Sequence, residues 1–165
     1  MAETISQALR RIKKIKGQIG EHRANAGNSV THLAEQQPAY QFGASTEKAS
    51  VLVDEMLRLQ TAVAIANATT SIEVDGKKIV LALAVRTLRE LTSEIAWTKG
   101  LAVKAQEKVV EHEMEFDGTR HVNAPKTYLC LLPEAKRAAR VTELQDRFDR
   151  LNDIVETANH KTLIG

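Results

Sequence analysis

Residues 4–26 read TISQALRRIKKIKGQIGEHRANA, and the spacing of their isoleucines decides the fold. Ile5, Ile12, Ile19 and Ala26 recur every seven residues, with Ala8, Ile15 and His22 interleaved at the second seam position. An apolar heptad is the mark of a helix packed along a narrow seam against another helix. Thr4-Ile5-Ser6-Gln7 has capping-box spacing, which gives the first helical N–H groups a partner. Gly27-Asn28 supplies a stop signal. The spacing therefore predicts a helix over about 4–26.

The same periodicity continues outward. A second helix fits 46–69, with Ala49, Leu52, Met56, Leu59, Val63 and Ala66 in its seam and Val53 and Leu57 widening it. A third fits 80–108, with Leu81, Leu88, Ile95 and Ala102 alternating with Ala84, Leu91 and Ala105. A fourth fits 133–160, opened by Pro133 and continued by Val141, Leu144, Phe148, Leu151, Val155 and Ala158. At 1.5 Å per residue these helices are each about 35–43 Å long, matched well enough to lie side by side.

Two β elements interrupt them, at about 71–79 and 109–132. Ile72 to Ile79 reads as a hairpin because Asp75-Gly76 suits the positive φ of a type I′ turn. Met114 to His121 repeats that grammar, and a two-residue turn at Asp117-Gly118 would set Glu115 opposite Arg120. Val110, His112, Met114 and Phe116 alternate with Glu111, Glu113 and Glu115, which predicts a buried apolar face and a wet acidic one. Thr127 to Leu132 is a candidate third strand, and its contiguous apolar run calls for cover on both faces. The expected architecture is mainly α, a single domain over 1–165 built as an elongated antiparallel bundle of four helices with two small β-hairpins.

An internal echo runs through the helices. Leu59-x-x-x-Val63-x-x-Ala66-Asn67-x-x-Thr70 matches Leu151-x-x-x-Val155-x-x-Ala158-Asn159-x-x-Thr162 at five of twelve positions. A duplicated helical hairpin would produce it, and so would chance between two amphipathic helices. If the match reflects duplication, helices two and four both pass from an Asn signal into an extended segment, which for helix four is Leu163-Ile164.

The chemistry-bearing residues are sparse. Lys and Arg number 23 against 21 Asp and Glu, so the global charge points to no polyanionic partner. Arg10, Arg11, Lys13, Lys14 and Lys16 crowd the first helix as a candidate phosphate-contacting face for RNA or DNA, but no aromatic interleaves them. The solvated outer face of a coiled coil is the favoured reading of them. His112 and His121 approach one another in the expected hairpin, yet two ligands fall short of the three or four of a closed metal site. The single cysteine, Cys130, lies in an apolar run and reads as a structural thiol in a reducing, cytoplasmic setting. No phosphate loop, nucleophile elbow or zinc-protease motif occurs, and neither a catalytic residue nor a cofactor is implied. The longest apolar run, Ile79 to Val85, falls far short of the roughly 20 residues of a bilayer span, and no transmembrane segment is expected.

Other features point to association. Trp97 lies about 200° around the helix from Ile95, off the seam. Leu101 follows it at i,i+4 in the expected helix. The long connection before the second helix holds Tyr40 and Phe42, and Leu163 and Ile164 form an extended segment after the fourth. These six are the candidate contacts of a homo-oligomer.

Ala8-Leu9 near the start of a basic helix, the Arg23-x-Asn25 end, Ile65-Ala66-Asn67-Ala68-Thr69, the Asp75-Gly76 turn and Leu81-Ala82-Leu83-Ala84-x-Arg86 form an ordered set. Over roughly residues 5–100 this set resembles the septicolysin-like family of small bacterial proteins, largely of unknown function. The resemblance implies a helical bundle of bacterial or phage origin and transfers no catalytic residue. The expected function is a non-catalytic, self-associating helical building block, with a nucleic-acid- or ribosome-associated factor as the alternative.

Overall fold

A computed structural model describes residues 2–165. Among these, the elements are β1 (Glu3–Thr4), α1 (Ile5–Asn28), α2 (Phe42–Thr69), β2 (Ser71–Val74), β3 (Lys77–Val80), α3 (Leu81–Gly100), β4 (Lys108–Phe116), β5 (His121–Leu129), α4 (Glu134–Lys161) and β6 (Leu163–Ile164). Helix accounts for 61% of the chain, so the fold is mainly α. The strands form three two-stranded antiparallel sheets, β1–β6, β2–β3 and β4–β5. The chain divides into two compact units: residues 1–85 with 153–165, and residues 86–152. Helices α3 and α4 each contribute to both.

In the first unit α1 and α2 pack antiparallel. The heptad seam of α1 is buried at Ile5, Ala8, Ile12, Ile15, Ile19 and Ala26, as its spacing predicts. From α2, Ala49, Val63 and Ala66 are buried, while Leu57 is exposed. Thr4 closes the expected capping box: its hydroxyl accepts from the Gln7 N–H, and the Gln7 side chain accepts from the Thr4 N–H at 2.9 Å. Helix boundaries differ from the sequence reading at other ends. Helix α1 runs through Gly27 and Asn28 because Ser29 receives it, donating its hydroxyl to Asn25 O and Ala26 O and its N–H to Ala26 O. Helix α2 begins at Phe42, four residues before Thr46, and the Thr46 hydroxyl donates back into the first turn instead of capping it.

The two helix–strand joints of this unit are built alike. Thr70 N–H donates to Ala66 O, and Thr70 O accepts from Leu81 N–H at 2.8 Å. Thr162 N–H donates to Ala158 O, and Thr162 O accepts from Ile5 N–H at 3.0 Å. Thus α2 passes through Thr70 into β2, which pairs with β3 at the head of α3. Likewise α4 passes through Thr162 into β6, which pairs with β1 at the head of α1. Ile5 and Leu81 are both 0% exposed, Ala8 and Ala84 follow them in kind, and Ile15 and Ile19 match Leu91 and Ile95. The sequence echo is therefore matched by equivalent helix–strand joints and equivalent buried positions. The β2–β3 joint has its expected turn, with Asp75 at φ 49° and Gly76 at φ 73°, and Glu73 opposite Lys78. At the other joint the two strands are the chain's terminal segments.

In the second unit the remainder of α3 lies antiparallel to the start of α4. Arg140 bonds Glu94 at 2.9 Å, and the Arg137 guanidinium donates to Lys99 O and Leu101 O at 2.9 and 3.1 Å. A cation on those terminal carbonyls complements the helix dipole and marks where α3 stops. The helix ends at Gly100, eight residues before the sequence reading places it, so Leu101, Ala102 and Ala105 are not helical. Of the expected third strand at Thr127 to Leu132, residues 127–129 are the end of β5, and residues 130–132 lie beyond it. Replacing either joint residue, Ile5→Ala or Leu81→Ala, is expected to cost about 2–5 kcal/mol in urea unfolding, as buried aliphatic truncations do. A loss below about 1 kcal/mol at Ile5 alone would show that the terminal joint lies outside the cooperative core.

Candidate functional site

The β4–β5 hairpin concentrates the polar chemistry of the second unit, and it is registered differently from the sequence reading. Phe116 pairs with His121, leaving a four-residue loop, and Glu115 stands opposite Val122 instead of Arg120. The cause is Asp117. Its carboxylate accepts from the Thr119 and Arg120 N–H groups and the Thr119 hydroxyl, holding the loop open by two more residues. Those hydrogen bonds, the Arg120 N–H foremost, also hold the Asp117 carboxyl below its ordinary pKa.

That register decides which side chains meet. One face of the hairpin gathers Glu111, Glu113 and Glu115 from β4 with Lys126 and Tyr128 from β5. Lys126 lies 3.0 Å from Glu113 and 3.7 Å from Glu115. The Tyr128 hydroxyl donates to Glu113, and Lys104 pairs with Glu111 while sitting 4.9 Å from the Tyr128 ring centroid. The hydrogen bond from Tyr128, then that from Lys126, pulls the Glu113 pKa down. Accepting from Tyr128 and Lys126, Glu113 raises both of theirs, and Glu111 raises that of Lys104. Each shift moves its group away from neutrality, whereas a general acid or base works best with a pKa near the operating pH. The lattice is suited to holding two strands together.

It also inverts the expected faces. The acidic side chains are half-buried in their lattice, except exposed Glu115, while Val110, Met114 and Phe116 stand exposed. Leu129 and Leu131, for which the sequence demanded cover, are exposed as well. These five apolar positions were the residues the sequence reading missed. Alternation revealed the face, but nothing in it revealed which side would be covered. His112 faces Pro125 and His121 faces Phe116, with ring centroids 5.4 Å apart in the latter pair, so the two histidines are not a shared ligand pair. Among the described residues no group of three His, Cys, Asp or Glu side chains is placed to hold a metal ion. Cys130 follows β5, half-buried, its thiol donating to Leu132 O at 3.2 Å.

The other candidates are dispersed. Trp97 is 66% exposed on α3, and Tyr40, Phe42 and Leu163 are exposed too. Leu101 is half-buried beyond the helix end, so it forms no i,i+4 pair with Trp97 on one helix. Ile164 is buried in β6, opposite Glu3, and is not free for a contact. On α1 the side chains of Arg10, Arg11, Lys13, Lys14 and Lys16 are exposed, but Arg11 is committed to Glu55 on α2, its Nε at 2.9 Å. Arg10 and Lys13 flank an open groove of about 380 Å³ that also contains Glu156 and His160, so its charge is mixed. No helix is long and apolar enough to cross a membrane.

No family model and no curated protein matches the chain. It is similar in fold to a crystal structure described as a functionally unknown conserved protein from Corynebacterium diphtheriae, with a TM-score of 0.79. That likeness covers 100% of both chains at 13% sequence identity. At such identity it is a likeness of fold, and function has to be argued from the residues.

The lattice makes a pH prediction. Glu113 has a lowered pKa when folded, so its contribution is present above its unfolded pKa and lost as pH falls through the lowered folded value. Lys126 and Tyr128 are raised, so theirs are present below their unfolded pKa values and lost as pH rises through the raised ones. Amide exchange in β4–β5 should therefore stay slow from mildly acidic to mildly alkaline pH, after correction for intrinsic rates, and quicken beyond both limits. Tyr128→Phe should raise the acid limit toward the ordinary carboxylate range; an unmoved limit would show the Tyr128–Glu113 bond to be dispensable.

Proposed function

We propose that this protein is a non-catalytic, self-associating helical building block. Its four helices would be laid as one antiparallel bundle, and its working compartment would be the bacterial cytoplasm. The observation that supports this reading is the amount of large apolar surface left in solvent on regular elements, Trp97 foremost. Tryptophan is enriched in the buried centres of interfaces, where a large rigid ring adds contact area at little entropic cost. Membership of the septicolysin-like family is part of the same proposal and rests on the ordered motifs between residues 5 and 100.

Light scattering after gel filtration at tens of micromolar tests it, with a mass at a multiple of the single chain expected. Because Trp97 is the only tryptophan, its emission reports one site. That emission should be blue-shifted in the assembly and move to the red on dilution, and Trp97→Ala should weaken assembly with helix content unchanged. A monomer at those concentrations, with red-shifted emission throughout, would overturn the reading.

The exposed cations Arg10, Lys13, Lys14 and Lys16 favour a second reading, contact with RNA or DNA phosphates. It predicts binding that falls steeply with salt and is abolished when Arg10, Lys13 and Lys14 are replaced by Gln. Binding unaffected by those changes would exclude that face.

A further inference from the structure

The β4–β5 hairpin is anomalous as a free-standing element. Two nine-residue strands form a sheet with no third strand among the described residues. A lone two-stranded hairpin is marginal in water and gains stability when an apolar face is packed. Here the apolar face is bare: Val110 is 54% exposed, Met114 69%, Phe116 61% and Leu129 76%, with Leu131 just past the strand at 97%. At ~150–200 Å² for a large side chain, the four on the strands leave roughly 400–500 Å² of apolar surface, on a face they share with His112, Asn123 and Thr127. That is within the size of the largest patch on an ordinary monomer, about 300–600 Å² and often functional. It supplies more than half of the ~800 Å² that each partner buries in a standard interface.

We propose that this face is an interface with a second copy of the chain, two hairpins stacking face to face about a two-fold axis. The proposal rests on the self-association reading and specifies where it occurs. Three features of the hairpin select this occupant and this geometry.

The edges are defended. Pro125 has no N–H to offer at the middle of β5, which blunts that edge against strand addition. Along β4, antiparallel pairing with its own copy would set the carboxylates of Glu111, Glu113 and Glu115 against one another. Strand addition by a second copy is thus opposed on both sides, and only the face is open.

The face also suits a duplicate of itself. It bears no carboxylate, since all three glutamates of β4 lie in the opposite lattice. Its one fixed cation, Lys108, is at the root. In a tip-to-root two-fold stack the two Lys108 side chains fall at opposite ends of the interface, about 27 Å apart at ~3.4 Å per residue. Apolar groups stand at both ends, Phe116 near the tip and Leu129 at the root, so each tip meets the other copy's root. A two-fold contact uses the same patch twice, and this patch needs no second surface to complement it.

The variant Met114→Lys/Phe116→Lys of the full-length chain tests the proposal beside the wild type, by sedimentation equilibrium and far-UV circular dichroism. Both side chains face solvent in the single chain, so the fold should tolerate lysine. The wild type should associate, and the variant should show a dissociation constant raised by at least about tenfold, with an unchanged spectrum. A wild type that associates with a variant that associates equally well would overturn the hairpin interface and leave self-association standing. A monomeric wild type would overturn both. A variant that loses its helical spectrum would overturn the proposal too, by showing that these side chains support the chain's own core.

Discussion

Two backbone hydrogen bonds, Leu81 N–H to Thr70 O and Ile5 N–H to Thr162 O, tie the first unit together. The opening N–H groups of a helix have no partner within it. In both places a carbonyl at the end of another helix supplies one, and a short antiparallel ladder follows immediately. The bond fixes where α1 and α3 start, and so which residues of each heptad point inward. Ile5 and Leu81, beside the bonds, are fully buried, and the seams of both helices count forward from them. At one joint the Asp75-Gly76 turn keeps the strands in register. At the other the chain's terminal segments meet without a covalent link, and β1–β6 pairing does the turn's work.

The second unit obeys a different constraint, electrostatic satisfaction across a hairpin. Glu111, Glu113, Lys126, Lys104 and Tyr128 are linked to one another on a face they share with half-buried Val109, Val122 and Ala124. Exposed ion pairs taken singly contribute little, but several linked charges on a rigid ladder form a network. The opposite face leaves Met114, Phe116 and Leu129 in solvent.

Much of the fold was legible because helical seams are written in spacing. The isoleucines of α1 placed its buried face residue by residue, and Asp75-Gly76 located its turn because few dipeptides accept two successive positive φ values. Other features depend on contacts distant in sequence. Helix α3 stops at Gly100, where Arg137, far along the chain, takes the Lys99 carbonyl; Lys99-Gly100 is a local stop signal that the heptad running on through Ala102 and Ala105 masks. The Asp117 loop is a case of one side chain outcompeting the two-residue turn that Asp-Gly otherwise favours. Ile164 and Leu101 looked like available contacts because their cover, β1 pairing and the turn after α3, is not encoded next to them. Trp97 was legible as an off-seam residue from its angle alone, while the hairpin face required knowing which side of the strand was already satisfied.

The β1–β6 joint is as structural as the β2–β3 joint. Chain ends fray unless tied down, and the β1–β6 ladder is two residues per strand. Native-state hydrogen exchange of the amides of Ile5 and Leu81 compares the joints directly. Both should exchange only through global unfolding, with matching free energies and matching denaturant dependence. Rapid exchange at Ile5 beside slow exchange at Leu81 would contradict the account, reducing the paired termini to a surface contact.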